Sequence, residues 1–169
     1  MAGYLKTAYL SLGSNLGDRA GHIERALAAL AAAAVRVRRR SALYETEPVG
    51  VNPQPWFLNC LVEAETELMP LALLRLLKRI ERQLGRRPPS GTHPPARPID
   101  IDIVSYGQHV VALPELTIPH PRLAERRFVL EPLRELAPEW RHPVTRKTAA
   151  EMLAELPPAA RSAACEPWG

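Results

Sequence analysis

The period of the hydrophobic positions changes several times along the chain, and each change predicts an element. Lys6 to Leu12 reads as a strand, which Gly13-Ser14-Asn15-Leu16-Gly17-Asp18 breaks with two glycines and Asn/Asp turn chemistry. Ile23, Ala26, Leu27 and Leu30 then fall at i, i+3, i+4 and i+7, which predicts a helix from Arg19 or Ala20 to Ala34, strengthened by its alanines. Val35-Arg36-Val37-Arg38 alternates, and this strand is expected to run to about Thr46 before a proline-rich loop from Glu47 to Trp56. Phe57 to Glu67 reads as another strand, with Leu58, Cys60, Val62 and Ala64 on one face and Phe57 and Asn59 on the other. Met69-Pro70 opens a helix whose buried stripe is Leu73, Leu76, Leu77, Ile80 and Leu84 and whose stop is Gly85.

Arg86 to Pro98 holds five prolines and is expected to be a second long loop. After it, Ile99-Asp100-Ile101-Asp102-Ile103-Val104 alternates without a fault, isoleucines inward and aspartates opposite, until Tyr106-Gly107. Leu116 to Pro121 reads as a short extended piece, Val129 to Ala137 and Ala149 to Leu156 as short helices, and the tail from about 157 as loosely ordered. The order β-α-β-β-α-β predicts an α+β fold, a ferredoxin-like split-βαβ sandwich with C-terminal helical additions.

Composition narrows the class. A chain of 169 residues, 46% hydrophobic and 24% charged, fits one folded domain spanning 1–169 and neither disorder nor a fibre. Its longest apolar run, Ala26 to Val35, is about half the roughly 20 residues a bilayer demands. The start of the chain has no apolar segment followed by a small-residue cleavage site. A cytoplasmic protein without membrane contact is expected. Cys60 in an apolar run and Cys165 in a Pro/Ala-rich tail make no disulfide framework.

The cations are 19 arginines and only 3 lysines, and the net charge of +4 predicts an anionic partner, either nucleic acid or phosphate. Only three aspartates occur, and two of them, Asp100 and Asp102, stand two apart on one strand face with Cα atoms roughly 7 Å apart. Such a pair repels unless cations lie between, and hard cations roughly 4 Å apart could be bridged there. Arg86, Arg87 and Arg97 bracket the second loop and Arg122, Arg126 and Arg127 follow His120, so two arginine-bearing segments could converge on phosphates beside the carboxylates. His120, between two prolines, could donate to a phosphate. Asn59, sharing a face with Phe57, offers donor and acceptor together to a flat heteroaromatic ring.

Several ordered blocks resemble the 6-hydroxymethyl-7,8-dihydropterin pyrophosphokinase family of folate biosynthesis over about Tyr9 to Pro138. They are Leu10-Ser11-Leu12-Gly13-Ser14-Asn15-Leu16-Gly17-Asp18-Arg19, Tyr44-Glu45-Thr46-Glu47-Pro48, Phe57-Leu58-Asn59, Arg97-Pro98-Ile99-Asp100-Ile101-Asp102-Ile103, Ile118-Pro119-His120-Pro121 and Arg126-Arg127-Phe128-Val129-Leu130. The resemblance implies transfer of pyrophosphate from ATP to a pterin hydroxymethyl oxygen, with AMP and the pterin diphosphate as products. It implies two Mg²⁺ ions on Asp100 and Asp102, with Arg86 and Arg97 joining them as catalytic residues. Asn59 with the backbone at Thr46 and Val49 would read the pterin edge, and Phe57 and Phe128 would enclose its ring. Glu81, Arg86, Arg97, Ile103, His120 and Arg126 match positions that meet ATP. Two departures stand out: His93-Pro94-Pro95-Ala96-Arg97 replaces the usual loop sequence, and Lys78 stands where glutamine is common.

The expected partners are ATP and the pterin, with no nucleic acid, and the expected state is a monomer. Two alternatives carry different expectations. A catalytically weakened relative would bind pterin without turnover, and a basic single-stranded RNA-binding module of ferredoxin-like fold would need few acids on its open sheet.

Overall fold

The computed structural model describes residues 4–48, 53–88 and 96–169. β1 (Lys6–Ser14) leads to α1 (Arg19–Ala32), followed by β2 (Val35–Arg40), β3 (Tyr44–Thr46) and β4 (Phe57–Thr66). Next come α2 (Pro70–Gln83), β5 (Asp100–Tyr106), a hairpin of β6 (Val111–Leu113) and β7 (Leu116–Ile118), and α3 (Arg127–Leu136). The described chain closes with α4 (Ala149–Ala154), α5 (Pro158–Ser162) and β8 (Cys165–Pro167).

The main sheet has the order β5-β1-β4-β3-β8, with β2 also pairing β4, and its pairs are antiparallel. β4 thus lies between β1 and β2, which is the split βαβ arrangement expected from the element order. The two faces of the sheet are buried differently. Ala8, Leu10 and Leu12 of β1, Leu58, Cys60 and Val62 of β4, and Ile101 and Ile103 of β5 pack against Ile23, Ala26 and Leu30 of α1 and Leu73, Leu77 and Ile80 of α2. The opposite face carries a second core, in which Tyr9, Leu61 and Val104 meet Val129, Leu130 and Leu133 of α3 and Met152 of α4. That second core covers only one end of the face. The other end bears Gly13, Phe57, Asn59, Asp100 and Asp102.

Local chemistry accounts for the helix limits. Asp18 caps α1 by accepting the Gly21 N–H at 3.0 Å, while Gly17 before it takes φ +64°. Pro70 occupies the first turn of α2, where its missing N–H costs nothing, and Gly85 at φ +99° ends the segment. α1 stops at Ala32, two residues short of expectation.

Three expectations are corrected. β1 does not break at Gly13 but continues to Ser14, because Gly13 is paired on both sides, with Asn59 and with Asp100. The strand expected from Val35 to Thr46 is two strands. Ser41 interrupts it by using its hydroxyl to accept the Leu61 N–H at 2.9 Å while its own N–H reaches Leu61 O. The segment from 157 onward is folded rather than loose, since α5 packs there and β8 pairs with β3. Cys60 and Cys165 are both free, and Cys165 is buried although its segment was expected to be loose. Among the described residues, no helix is long and apolar enough to cross a membrane.

Candidate active site

β5 presents the carboxylates as its alternation requires: Ile101 and Ile103 face the core at 1% and 4% exposure, and Asp100 and Asp102 face the other way. Cations from three separate segments surround them. Arg86, just beyond α2, approaches Asp100 at 2.6 Å, Arg97 reaches the other Asp100 oxygen at 3.2 Å, and Arg126, the residue before α3, lies 3.9 Å from Asp102. Asp100 is therefore already neutralised twice. Asp102 is less well compensated: burial, then repulsion from Asp100, pushes its carboxyl up to about 6 despite Arg126.

Behind this pair sits Glu81, 2% exposed on α2. Its Oε2 accepts the Ile101 N–H at 2.7 Å and the Arg86 guanidinium at 2.8 Å, and Lys78 lies 3.3 Å from Oε1. Burial raises the Glu81 carboxyl above the ordinary range, while the Ile101 N–H and Arg86 oppose that rise. The carboxylate thus ties α2 to β5 and steers Arg86 toward Asp100. Its contacts are internal, and Ile103, in the apolar core, has only its backbone to offer a nucleotide.

Arg126 is a cation short of partners. Its Nε is buried without a hydrogen bond, burial lowers its basicity with Asp102 only partly restoring it, and its guanidinium lies 5.4 Å from the Phe128 ring centre. An anion reaching this point would complete it. His120 is close by in charge terms: burial, then Arg126, pulls its imidazole down to about 4, so it is neutral at pH 7. Its Nδ1 accepts the Arg122 N–H at 3.1 Å, which leaves Nε2–H as the donor.

Across β1 from β5, Asn59 of β4 is 4% exposed and donates from Nδ2 to the Thr46 hydroxyl at 2.6 Å. A Cβ built on Gly13 would lie 2.5 Å from Asn59 Oδ1 and 3.5 Å from Phe57 Cδ1, so the absence of a side chain there makes room for the amide. The Arg97 guanidinium sits 5.9 Å from the Phe57 ring centre. Phe57 and Phe128 are both half-buried. Val49, and the loop positions His93, Pro94 and Pro95, lie outside the described residues.

One residue of this region escaped the sequence reading. Asn15, 1% exposed, accepts the Arg97 N–H at 2.7 Å with Oδ1 and donates with Nδ2 to Gln54 Oε1 and Pro55 O at 3.1 and 3.2 Å. It fastens the approach to Phe57 and the approach to Asp100 to the end of β1. A polar amide inside Gly-Ser-Asn-Leu-Gly was its signal, but turn chemistry alone explained it adequately.

The family model for 7,8-dihydro-6-hydroxymethylpterin-pyrophosphokinase (HPPK) matches residues 9–138. The chain belongs to this family. A 2-amino-4-hydroxy-6-hydroxymethyldihydropteridine pyrophosphokinase of Methylorubrum extorquens is 44% identical over 152 residues, covering 89% of this chain and 94% of that protein. A folate synthesis bifunctional protein of Arabidopsis thaliana is 45% identical over 127 residues, which is 75% of this chain and 26% of that protein. The chain thus spans about a quarter of the length of the bifunctional relatives it matches. Among solved structures, wild-type HPPK-DHPS of Plasmodium falciparum with pteroate superimposes with a TM-score of 0.72 at 17% identity, over 92% of this chain and 45% of that one. That likeness establishes the HPPK fold.

Proposed function

We propose that this chain transfers the β,γ-pyrophosphoryl group of ATP to the hydroxymethyl oxygen of 6-hydroxymethyl-7,8-dihydropterin, giving AMP and the pterin diphosphate. The carrying observation is one sheet face that joins two chemistries: the Asp100/Asp102 pair ringed by Arg86, Arg97 and Arg126, and the Asn59–Thr46 amide and hydroxyl two strands away. The alcohol oxygen bonds to the β-phosphorus, the bond from that phosphorus to the α,β-bridging oxygen breaks, and AMP leaves with the electron pair. Such a transfer needs alignment and cationic charge more than a protein nucleophile. In this reading Arg86, Arg97 and Arg126 hold phosphate oxygens, His120 donates from Nε2, and Asn59, Thr46 and Val49 read the pterin edge between Phe57 and Phe128.

The donor set fits magnesium. Among the described residues no group of three or more His, Cys, Asp and Glu could hold a metal, and in this reading Asp100 and Asp102 would hold the ion together with nucleotide oxygens and water, as Mg²⁺ commonly does. Two ions there would supply positive charge to the phosphates and lower the alcohol pKa. No dedicated base is assigned.

The test is chromatography of the nucleotide products from ATP, Mg²⁺ and the pterin alcohol. AMP that appears only with pterin supports the reading. ADP would mean ordinary kinase chemistry, and pterin binding without any AMP would mean a weakened relative. Gly13→Ala provides a separate check on the pterin pocket. Its methyl group would displace the Asn59 amide, so pterin affinity by calorimetry should fall by roughly tenfold or more. An unchanged affinity would remove Asn59 from the pterin site.

A further inference from the structure

The residues from 157 onward serve no role in the reading above, yet they are fastened at two ends. At one end β8 pairs with β3 in the register Tyr44↔Pro167, Glu45↔Glu166 and Thr46↔Cys165. Bonds beyond the strand extend this ladder: Trp168 N–H reaches Leu43 O at 2.8 Å and Glu47 N–H reaches Ala164 O at 3.2 Å. The Glu47 carboxylate also accepts the Ala164 N–H at 3.0 Å. At the other end Arg127, the first residue of α3, donates from Nη1 to Arg161 O and Ala163 O, both at 2.9 Å, while its Nε meets Glu131 at 3.3 Å.

Arg127 stands between Arg126, which approaches Asp102, and Phe128, and it alone of the three binds the segment rather than the site. A cavity of about 520 Å³ lies between the two fastenings. Thr46 and Phe128 line it on the side of the site, and Pro157, Ala160, Ala163 and Cys165 close it on the side of the segment.

Resting on the proposed function, we infer that residues 157–168 form a strap that holds β3 in the position from which Thr46 and Asn59 read the pterin, with Arg127 and Glu47 as its positioning residues. β3 is only three residues long, and among the described residues its one other strand partner is β4, with Tyr44 and Glu45 reaching Glu135 and Arg19 through their side chains. A strand of that length held along a single edge opens readily, and the free energy of ordering it would then be drawn from ligand binding. The strap supplies the second edge in advance. It also joins Thr46 on β3 to the first turn of α3, where Phe128 sits, so both walls are set by one segment. The carboxylates lie on β5, at the opposite edge of the sheet order from β8. Loosening the strap at Glu47 therefore acts on the pterin and not on ATP, whereas Arg127 adjoins Arg126 and reaches both.

The experiment compares wild type with Arg127→Met, Arg127→Lys and Glu47→Ala, measuring KM for each substrate and, by calorimetry, Kd for the pterin. Arg127→Met and Glu47→Ala are expected to raise KM and Kd for the pterin roughly tenfold, and Glu47→Ala to leave KM for ATP within about twofold. Arg127→Lys, which keeps donors for both carbonyls, should recover most of that loss. Unchanged pterin constants in both disruptive variants would overturn the strap, and so would pterin and ATP constants rising together in Glu47→Ala, which general destabilisation produces. If Arg127→Met fails to fold, Glu47→Ala leaves α3 intact and decides alone. Wild-type AMP formation reports on the proposed function separately, and the pterin Kd ratios remain readable without it.

Discussion

Asp102→Asn is expected to yield a metal-free protein that is more stable than wild type at pH 7 and almost without activity. The Asp102 carboxyl is pushed up to about 6 by burial and by Asp100, so the folded state binds a proton more readily than the unfolded chain does. A group shifted upward in this way costs stability when ionised. The cost is fully present above about pH 6, and is recovered as pH falls from there toward the ordinary aspartate value of about 4. Asparagine removes the charge at every pH. With 32% of the side chain still meeting solvent, the gain at pH 7 is about 1–2 kcal/mol, less than the full shift would suggest. Urea titrations of both proteins at pH 7 and pH 4.5 test this: the gap should be open at the first and shrink to about a third of that at the second. AMP formation should meanwhile fall by about a thousandfold or more, because the neutral amide no longer holds a cation beside the phosphates. Equal stability at pH 7, or retained turnover, would contradict this account of the pair.

Glu81→Ala is expected to give the largest loss of stability among single changes near the site. Truncation removes the acceptor of the buried Ile101 N–H and one of the two carboxylates on Arg86, in a place where water has little access. Leaving a buried donor unpaired and a cation half-compensated costs about 3–4 kcal/mol together. Glu81→Gln, which retains an acceptor for Ile101, should recover a large part of it. Denaturant midpoints read both, with the slope checked to confirm an unchanged transition. A loss under about 1 kcal/mol for Glu81→Ala would mean that Asp100 alone satisfies Arg86. The same substitution should weaken ATP binding, since Arg86 is aimed by Glu81 and Asp100 jointly.

These two carboxylates illustrate what could be read in advance. Asp100 and Asp102 were legible as a same-face pair because the period of a strand is two and depends only on neighbouring residues. Asn59 and Phe57 were legible together for the same reason. Resemblance places Glu81 among nucleotide-binding positions, and in the structure its carboxylate contacts Ile101, Arg86 and Lys78. Helical periodicity placed it on α2, next to Ile80 of the buried stripe, but nothing local says which backbone N–H will lie opposite. Asn15 and Arg127 are similar cases: their partners Arg97, Gln54, Arg161 and Ala163 lie 34 or more residues away in sequence.

Sequence by itself determined the elements whose signals are local: the amphipathic stripe of α2, the alternation of β5, the start at Pro70 and the stop at Gly85, and the blocks that place the chain in the HPPK family. Tertiary structure decided what joins at a distance. It carried β1 through Gly13 by pairing that residue on both sides, split the strand at Ser41, and drew arginines from three segments onto one carboxylate pair. It also folded residues 157–168 onto β3, although Cys165-Glu166-Pro167 has no alternation and contains a proline. The reason is that a short edge strand gains its order from the ladder it joins, and that ladder is written about 120 residues earlier in the chain, in Tyr44, Glu45 and Thr46.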